Sequence, residues 1–482
     1  MNRTLVAGVD SSTQSCTVVL RRLADGRVVG EARAPHPTTT PPRSEQDPAS
    51  WWNALMDALK QMQPQLDQIA AISVGGQGHG LVLLGKDNVA LRPAKLWNDT
   101  EPAPDAARLR KVLSPADWAE RTGSVPGPAL TVSKLAWTER CYPGLVGRAA
   151  HVMLPFDYII YRLSGNKVTE RGGCSGTGYF NPFSNSWDLE LAGLAAPAID
   201  WPTKVPAIVD SAQAAGKITQ IPFPELQGAL VGPGTGDNMA AALGLGVEEG
   251  DTVVSLGTSG TVYSVTPVGV RDSSGAINGY ADATGRFMPM VTTLNAAKVT
   301  DCFRRLLGVT IQEFDSLALE PRHTDDSPIL IPYLDGERTP DLPGATGRLL
   351  NLRSSSTRAG VARAAVEGVL CGLLEGLDLL AKQGVRLDRR FILTGGAARS
   401  KAFRQTLADL TGKPIWIASI AEAAAAGAGV QAAAALSGEP VSKTAKRWAS
   451  DLELAAEPDP EFPREAVREG YRTAVQNHFG QD

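Results

Sequence analysis

Hydrophobic and polar positions along the chain follow two rhythms. Short β-rich runs (Thr4–Val9, Ile69–Val74, Ala229–Val231, Thr252–Leu256 and Phe391–Leu393) each lead straight into glycine, serine or threonine. Apolar stretches this short, bounded by turn residues, predict buried strands. Ser15–Leu20 and Thr261–Val265 follow two of them as hairpin partners, and Asp25-Gly26 turns the chain back into Arg27–Gly30. The helical rhythm begins after Asp47, an N-cap, with Pro48 at the first helical position. Trp51, Leu55, Leu59 and Met62 then fall on one face. Met239–Leu243 and Ser400–Leu410 predict further helices, while residues 100–220 are helix and loop material rich in Ala, Pro and Trp.

The order of these elements repeats. Val9-Asp10-Ser11-Ser12-Thr13 and the strand after it resemble Leu256-Gly257-Thr258-Ser259 and its following strand. Gly75-Gly76 after one strand resembles Gly395-Gly396 after another. A repeat this long predicts two similar α/β domains rather than a solenoid. The switch falls near Gly244–Gly250, giving expected domains 1–246 and 247–482, with the glycine-rich turns converging on a cleft between them.

Composition narrows the classes. At 482 residues the chain exceeds a single core, and 43% hydrophobic with 20% charged residues is globular. A net charge of -4 offers no basic surplus for nucleic acid. Cys16, Cys141, Cys174, Cys302 and Cys371 form no CxxC pair and predict buried thiols in a reducing compartment. Leu5–Val9 is too short for a signal-peptide core, and the uncharged stretch Ala423–Leu436 is too short to span a membrane. The expectation is a soluble, cytoplasmic protein with no membrane or nucleic-acid partner.

Strand ends made of glycine and small hydroxyl residues let backbone N–H groups approach a phosphate. Ser12 and Thr13 form one such turn, and Gly257, Thr258 and Ser259 a second. Asp10, ending a buried strand, suits a Mg²⁺ partner acting through water. Asp237 follows a Gly/Pro/Thr loop and opens a helix. It is either an N-cap or a base for an acceptor hydroxyl in phosphoryl transfer. His79 lies in the glycine-rich loop 75–80 beside Gly78, where it could donate hydrogen bonds to a sugar; His36, His151, His323 and His478 show no partners and read as structural. There is no Walker A sequence, and no GxGxxG opens a βαβ unit.

These residues carry a resemblance to the FGGY carbohydrate kinase family. The matching segments run in order through nearly the whole chain. They begin with Gly8-Val9-Asp10-Ser11-Ser12-Thr13-Gln14-Ser15 and Ser44-Glu45-Gln46-Asp47-Pro48 with Trp51-Trp52. Gly76-Gln77-Gly78-His79-Gly80, Leu96-Trp97-Asn98-Asp99, Lys134-Leu135 with Trp137, and Leu154-Pro155 with Asp157-Tyr158 continue the first half. Gly236-Asp237-Asn238, Ser255-Leu256-Gly257-Thr258-Ser259-Gly260, Pro332-Tyr333-Leu334 with Gly336-Glu337-Arg338-Thr339-Pro340, and Gly395-Gly396 with Ala398-Arg399-Ser400 complete it. The Gln-x-His-Gly loop resembles the branch of the family that acts on D-xylulose; glycerol kinases carry an Arg-Glu pair there.

The resemblance implies two actin-like, ribonuclease-H-like ATPase domains around an interdomain cleft, closing over ATP, Mg²⁺ and a small sugar. It implies Asp237 as catalytic base and Asp10 as the residue that helps place the metal. Gly78, His79, Asp237 and Asn238 would meet the sugar. Ser12, Thr13, Gly257, Thr258 and Ser259 would form the phosphate turns, and Gly395, Gly396 and Arg399 would hold the adenosine. The expected reaction is ATP-dependent phosphorylation of D-xylulose to its 5-phosphate. Kinases for ribulose, glycerol, another polyol or gluconate, and a non-kinase actin-like ATPase switch, are the alternatives. A homodimer is common in the family. The chain departs from the family at Thr17 (usually basic), Glu101 (usually Arg nearby), Phe156 (usually Lys), Ala397 (usually Gly) and Asn351 (commonly Gly).

Overall fold

The computed structural model describes residues 3–320 and 326–480, so His323 lies outside the described residues. The chain forms two compact units. The first comprises Met1–Val247, Pro267–Met288 and Ile420–Ser450; the second comprises Glu248–Thr266, Pro289–Ser419 and Asp451–Asp482. The first unit's main segment runs to Val247, and two later segments rejoin it.

In unit 1, β1 (Leu5–Ser11), β2 (Ser15–Arg22) and β3 (Val28–Pro35) form an antiparallel meander. β4 (Ile69–Gly76) runs parallel to β1, and the short strands β5 (Leu230–Val231) and β6 (Thr235–Gly236) run parallel to β4 on its other side. Helix α1 (Pro48–Gln61) starts as the sequence predicts, with the Asp47 carboxylate accepting from Ala49 N at 3.0 Å. Trp51, Leu55 and Leu59 are fully buried in the same core as Val9, Val18, Leu20, Ile72 and Val74.

Two more helices cover the sheet where β1 and β4 end: α2 (Asp237–Leu245) and α3 (Ala423–Ser437). The uncharged Ala/Gly stretch near residue 430 is therefore a buried helix of unit 1. Its small residues explain why it can sit there. A Cβ on Gly8 would overlap the Ala425 carbonyl, and one on Gly427 would overlap the Ala240 carbonyl. Close backbone approach of this kind requires that both surfaces lack side chains. Ser73 Oγ on β4 donates to Gln431 Oε1 of α3 at 2.8 Å, adding a buried polar tie.

Unit 2 repeats the plan. β7 (Thr252–Leu256), β8 (Gly260–Ser264) and β9 (Phe287–Thr293) form the meander, and β10 (Phe391–Thr394) runs parallel to β7. β11 (Ile415–Ala418) continues parallel to β10, and β12 (Leu452–Ala456) closes antiparallel. The predicted internal repeat is present in both strand order and direction.

Cys16, Cys174 and Cys371 are buried, and burial pushes their thiols up; Cys141 is exposed and Cys302 half-buried, contrary to the expectation for all five. Among the described residues, no helix is long and apolar enough to cross a membrane.

Candidate functional site

The sheet register of unit 1 brings the two candidate acids to one end of the sheet. Asp10 pairs with Gly75 across β1 and β4, and Gly75 pairs with Thr235, two residues before Asp237. Each acid keeps a little exposed surface while protein surrounds it on most sides. Burial raises the Asp10 carboxyl well above its ordinary range, and the negative charges of Asp237 and Glu422 raise it further; Arg33 pulls the other way. Burial likewise pushes Asp237 up to about 6, although hydrogen bonds from Asn238 oppose the shift. Those bonds come from Asn238 N (2.7 Å) and Asn238 Nδ2 (2.9 Å), and both go to Asp237 Oδ1.

Asp237 is not an N-cap. Gly236 holds that position and Asp237 is the first helical residue, so its carboxylate is not spent on capping. Asn238, expected at the sugar, also holds this carboxylate through its N and Nδ2.

The residues present fit a hard divalent cation. Asp10 Oδ1 is buried with no hydrogen-bond partner, and its neighbours Asp237 and Glu422 repel its charge. An orphaned carboxylate oxygen among acids is the donor chemistry Mg²⁺ takes. A second acidic group, Glu45, Asp99 and Glu101, has metal-like spacing but already holds a cation. The buried Lys95 ammonium lies 3.1, 2.8 and 2.5 Å from these three carboxylates. Glu101, one of the departures from the family, is thus an ion-pair partner, held below its ordinary range by the hydrogen bond from Lys95 and then by Arg43.

The substrate loop follows β4. His79 has φ +63°, and its Nδ1 lies 3.0 Å from the Gly176 carbonyl. Only a protonated Nδ1 can donate there, so a neutral imidazole presents Nε2 as an acceptor, not the donor the sequence suggested. Thr131 Oγ1 donates to the His79 carbonyl, and the Tyr280 ring lies 5.2 Å from the imidazole. Gly78 has open space where a Cβ would stand.

The phosphate turn of unit 1 is braced by side chains. Ser12 N donates to Ser15 O at 3.1 Å, Trp97 Nε1 donates to Thr13 Oγ1 at 2.9 Å, and Gln46 Nε2 donates to Thr13 O. His36, read as structural, donates from Nδ1 to the Ser12 carbonyl at 2.8 Å; burial lowers its pKa and keeps it neutral. In unit 2 the corresponding turn is tied through the main chain. Gly257 N donates to Ser259 O, while the Thr258 and Gly257 carbonyls accept from Ala296 N and Ala297 N at the start of helix Ala297–Leu307. Gly395 has φ +83° and opens the short helix Gly396–Arg399, all four residues following β10; Gly396 and Arg399 are exposed.

Other departures acquire reasons. Thr17 pairs with Asp10 on one side and Arg33 on the other, so the cation facing Asp10 comes from β3. Phe156 is core, filling the space beside Gly76, Gly173 and Gly234. Asn351 has φ +57°, a left-handed conformation that asparagine tolerates in place of glycine. Ala397 is buried within the short helix.

Sequence reasoning missed Glu170, Gly176 and Tyr280. Glu170 is fully buried and accepts from Thr235 Oγ1 (2.6 Å), Ser211 Oγ (2.7 Å), Gly172 N (2.9 Å) and Gly173 N (3.3 Å). It therefore fastens the loop that carries Asp237. Its signal was an acid directly before Arg171-Gly172-Gly173; the others carried none, because their role comes from contact across the fold.

Comparison with known proteins extends this picture to the whole chain. The N-terminal domain of the FGGY family of carbohydrate kinases matches residues 5–244, and its C-terminal domain residues 252–436. A xylulose kinase of Streptomyces rubiginosus is 43% identical over 448 residues, covering 92% of this chain and 90% of that protein. One from Streptomyces coelicolor matches to the same extent. The crystal structure of xylulose kinase from Bifidobacterium adolescentis superposes with a TM-score of 0.85 at 34% identity, covering 98% of this chain and 99% of that one. Two repeated units of the expected strand order, with both family domains matched along them, establish that this chain belongs to the FGGY family of carbohydrate kinases, enzymes that use ATP.

Proposed function

We propose that the protein transfers the γ-phosphoryl group of ATP to the C5 hydroxyl of D-xylulose, giving D-xylulose 5-phosphate, in the cytoplasm. The observation that carries the chemistry is the Asp237 carboxylate. It is buried enough to be pushed up to about 6, it is held by Asn238 through Oδ1 alone, and it is not consumed as a cap. A base with a pKa near neutrality is well matched to accept a hydroxyl proton as the phosphoryl group arrives. The choice of sugar rests on the relatives named above and on the His79 loop.

Asp237 orients the acceptor hydroxyl and takes its proton on Oδ2. His79 Nε2 accepts a hydrogen bond from the sugar, its ring fixed by the Gly176 carbonyl. Ser12 and Thr13 on unit 1, and Gly257, Thr258 and Ser259 on unit 2, offer small-residue turns to phosphate oxygens, with Gly395, Gly396 and Arg399 toward the adenosine. Asp10 would hold Mg²⁺, which when bound would neutralise charge on the phosphates. Positioning and charge neutralisation supply most of the acceleration, since phosphoryl transfer asks little covalent chemistry of the protein.

The test is a kinetic panel of D-xylulose, ribulose, glycerol and gluconate with coupled detection of ADP. The expected outcome is the highest kcat/KM for D-xylulose. A preference for another acceptor would replace the sugar, and ADP release unaffected by every sugar would replace the kinase reading with that of a nucleotide switch.

A further inference from the structure

Gln77 is 1% exposed, and neither its Oε1 nor its Nε2 has a hydrogen-bond partner. A buried carboxamide with both ends unpaired is rare, because nothing in the protein compensates for the water it has lost. Its backbone is not displaced: Gln77 N donates to the Ser11 carbonyl at 3.0 Å and prolongs the β1–β4 ladder by one step.

That ladder fixes the face. Ser73 on β4 bonds α3, and a Cβ on Gly75 would meet both Ala240 of α2 and the Ala424 carbonyl of α3. Alternation along a strand puts residues 73, 75 and 77 on one side. On β1, Gly8 faces α3 in the same way, which puts Asp10 on that side too. The face under α2 and α3 therefore ends with the unpaired amide of Gln77 and the unpaired Oδ1 of Asp10, at the level where α2 starts at Asp237 and α3 at Ala423. Helix N-termini favour anions, and the Nε2 group of Gln77 is a donor that an anion can take.

We infer that Gln77 is a further catalytic residue, whose carboxamide donates a hydrogen bond to the phosphoryl group in flight between ATP and the sugar. The inference rests on the function proposed above. As the bond from phosphorus to the sugar oxygen forms and the bond to ADP breaks, the sugar's proton goes to Asp237, and Gln77 carries no proton or charge. A donor aimed at charge that is shared among phosphoryl oxygens during transfer acts on kcat rather than on sugar affinity.

The test compares wild type with Gln77→Met, which keeps the volume and removes the amide. Three readouts are taken: kcat and sugar KM, sugar binding by calorimetry, and the thermal midpoint of the unliganded protein. Loss of one such donor is expected to lower kcat about 100-fold. Sugar binding is expected to stay within about threefold. The unliganded midpoint is expected to rise, because an unpaired buried amide has been removed. A complex of ADP, Mg²⁺, aluminium fluoride and sugar, which imitates the phosphoryl group in transfer, should form with wild type and weaken with the variant. Unchanged kcat, a loss confined to sugar affinity, or a lowered midpoint with kcat falling in proportion to folded protein would each overturn the inference. Failure of wild type itself to phosphorylate D-xylulose would show up separately, as failure of the parent reading.

Discussion

The strand ends of the two units share a plan and differ in chemistry. In unit 1, Asp10 stands opposite Gly75; in unit 2, the matching ladder places Ser255 opposite Thr394. In the glycine pair that follows each strand, Gly76 is buried against Phe156 and leads into the buried amide of Gln77, whereas its counterpart Gly396 is exposed and unobstructed. Side chains from Trp97, Gln46 and His36 brace the first turn, whereas main-chain bonds to the start of a helix brace the second. The same backbone thus serves two tasks. On the function proposed above, the acids and the unpaired amide of unit 1 act on the moving phosphoryl, while the bare glycine backbone of unit 2 grips the nucleotide.

The sharpest break of this comparison is Asp237→Asn. Turnover is expected to fall by about three to four orders of magnitude, measured by ADP release with saturating sugar. Wild-type kcat/KM should also fall about tenfold per pH unit below 6, as Asp237 is protonated. The same substitution should stabilise the protein. Asp237 has a folded pKa of about 6 against an ordinary 3.8, so the folded state binds its proton more tightly than the unfolded one does. Keeping the group ionised therefore costs nothing below the ordinary value, costs progressively more as pH rises to about 6, and reaches its full cost above. Asp237→Asn should gain of order 1–3 kcal/mol at pH 8 and nothing at pH 3.5, by denaturant titration.

Gly395→Ala tests the bare-backbone half. A Cβ there would lie 2.5 Å from the Leu256 carbonyl on a backbone with φ +83°. The expected result is a roughly tenfold rise in the KM for ATP with the sugar KM unchanged. Gly176→Ala should have the smallest effect, about three- to tenfold in sugar KM alone, because the new methyl would overlap the His79 ring and turn it from the sugar. If either variant raised both constants equally, the division of labour between the units would be wrong.

Much of this was legible in residue order. Strands short enough to be buried and ending in glycine, the Asp47-Pro48 helix start, and the repeated turn all follow from local propensity and spacing. Asp10, His79 and Asp237 stand out because each occupies a strand end rich in glycine or small hydroxyl residues. Phe156 and Asn351 stood out as departures from the family, but one fills a space left by three glycines and the other keeps a glycine-like backbone.

What only tertiary structure decided are the contacts between residues far apart in the chain. That α3 belongs to unit 1, that Glu170 fastens the Asp237 loop, that Gly176 sets the tautomer of His79, and that Arg33 rather than residue 17 supplies charge to Asp10 cannot be read from spacing. The reason is physical. Propensity and periodicity are set by neighbours along the chain, so they fix elements and their ends. The pairing of a carboxylate, an imidazole or an unpaired amide depends on which strands lie side by side and which helix covers them, and that follows from burial of the whole core at once.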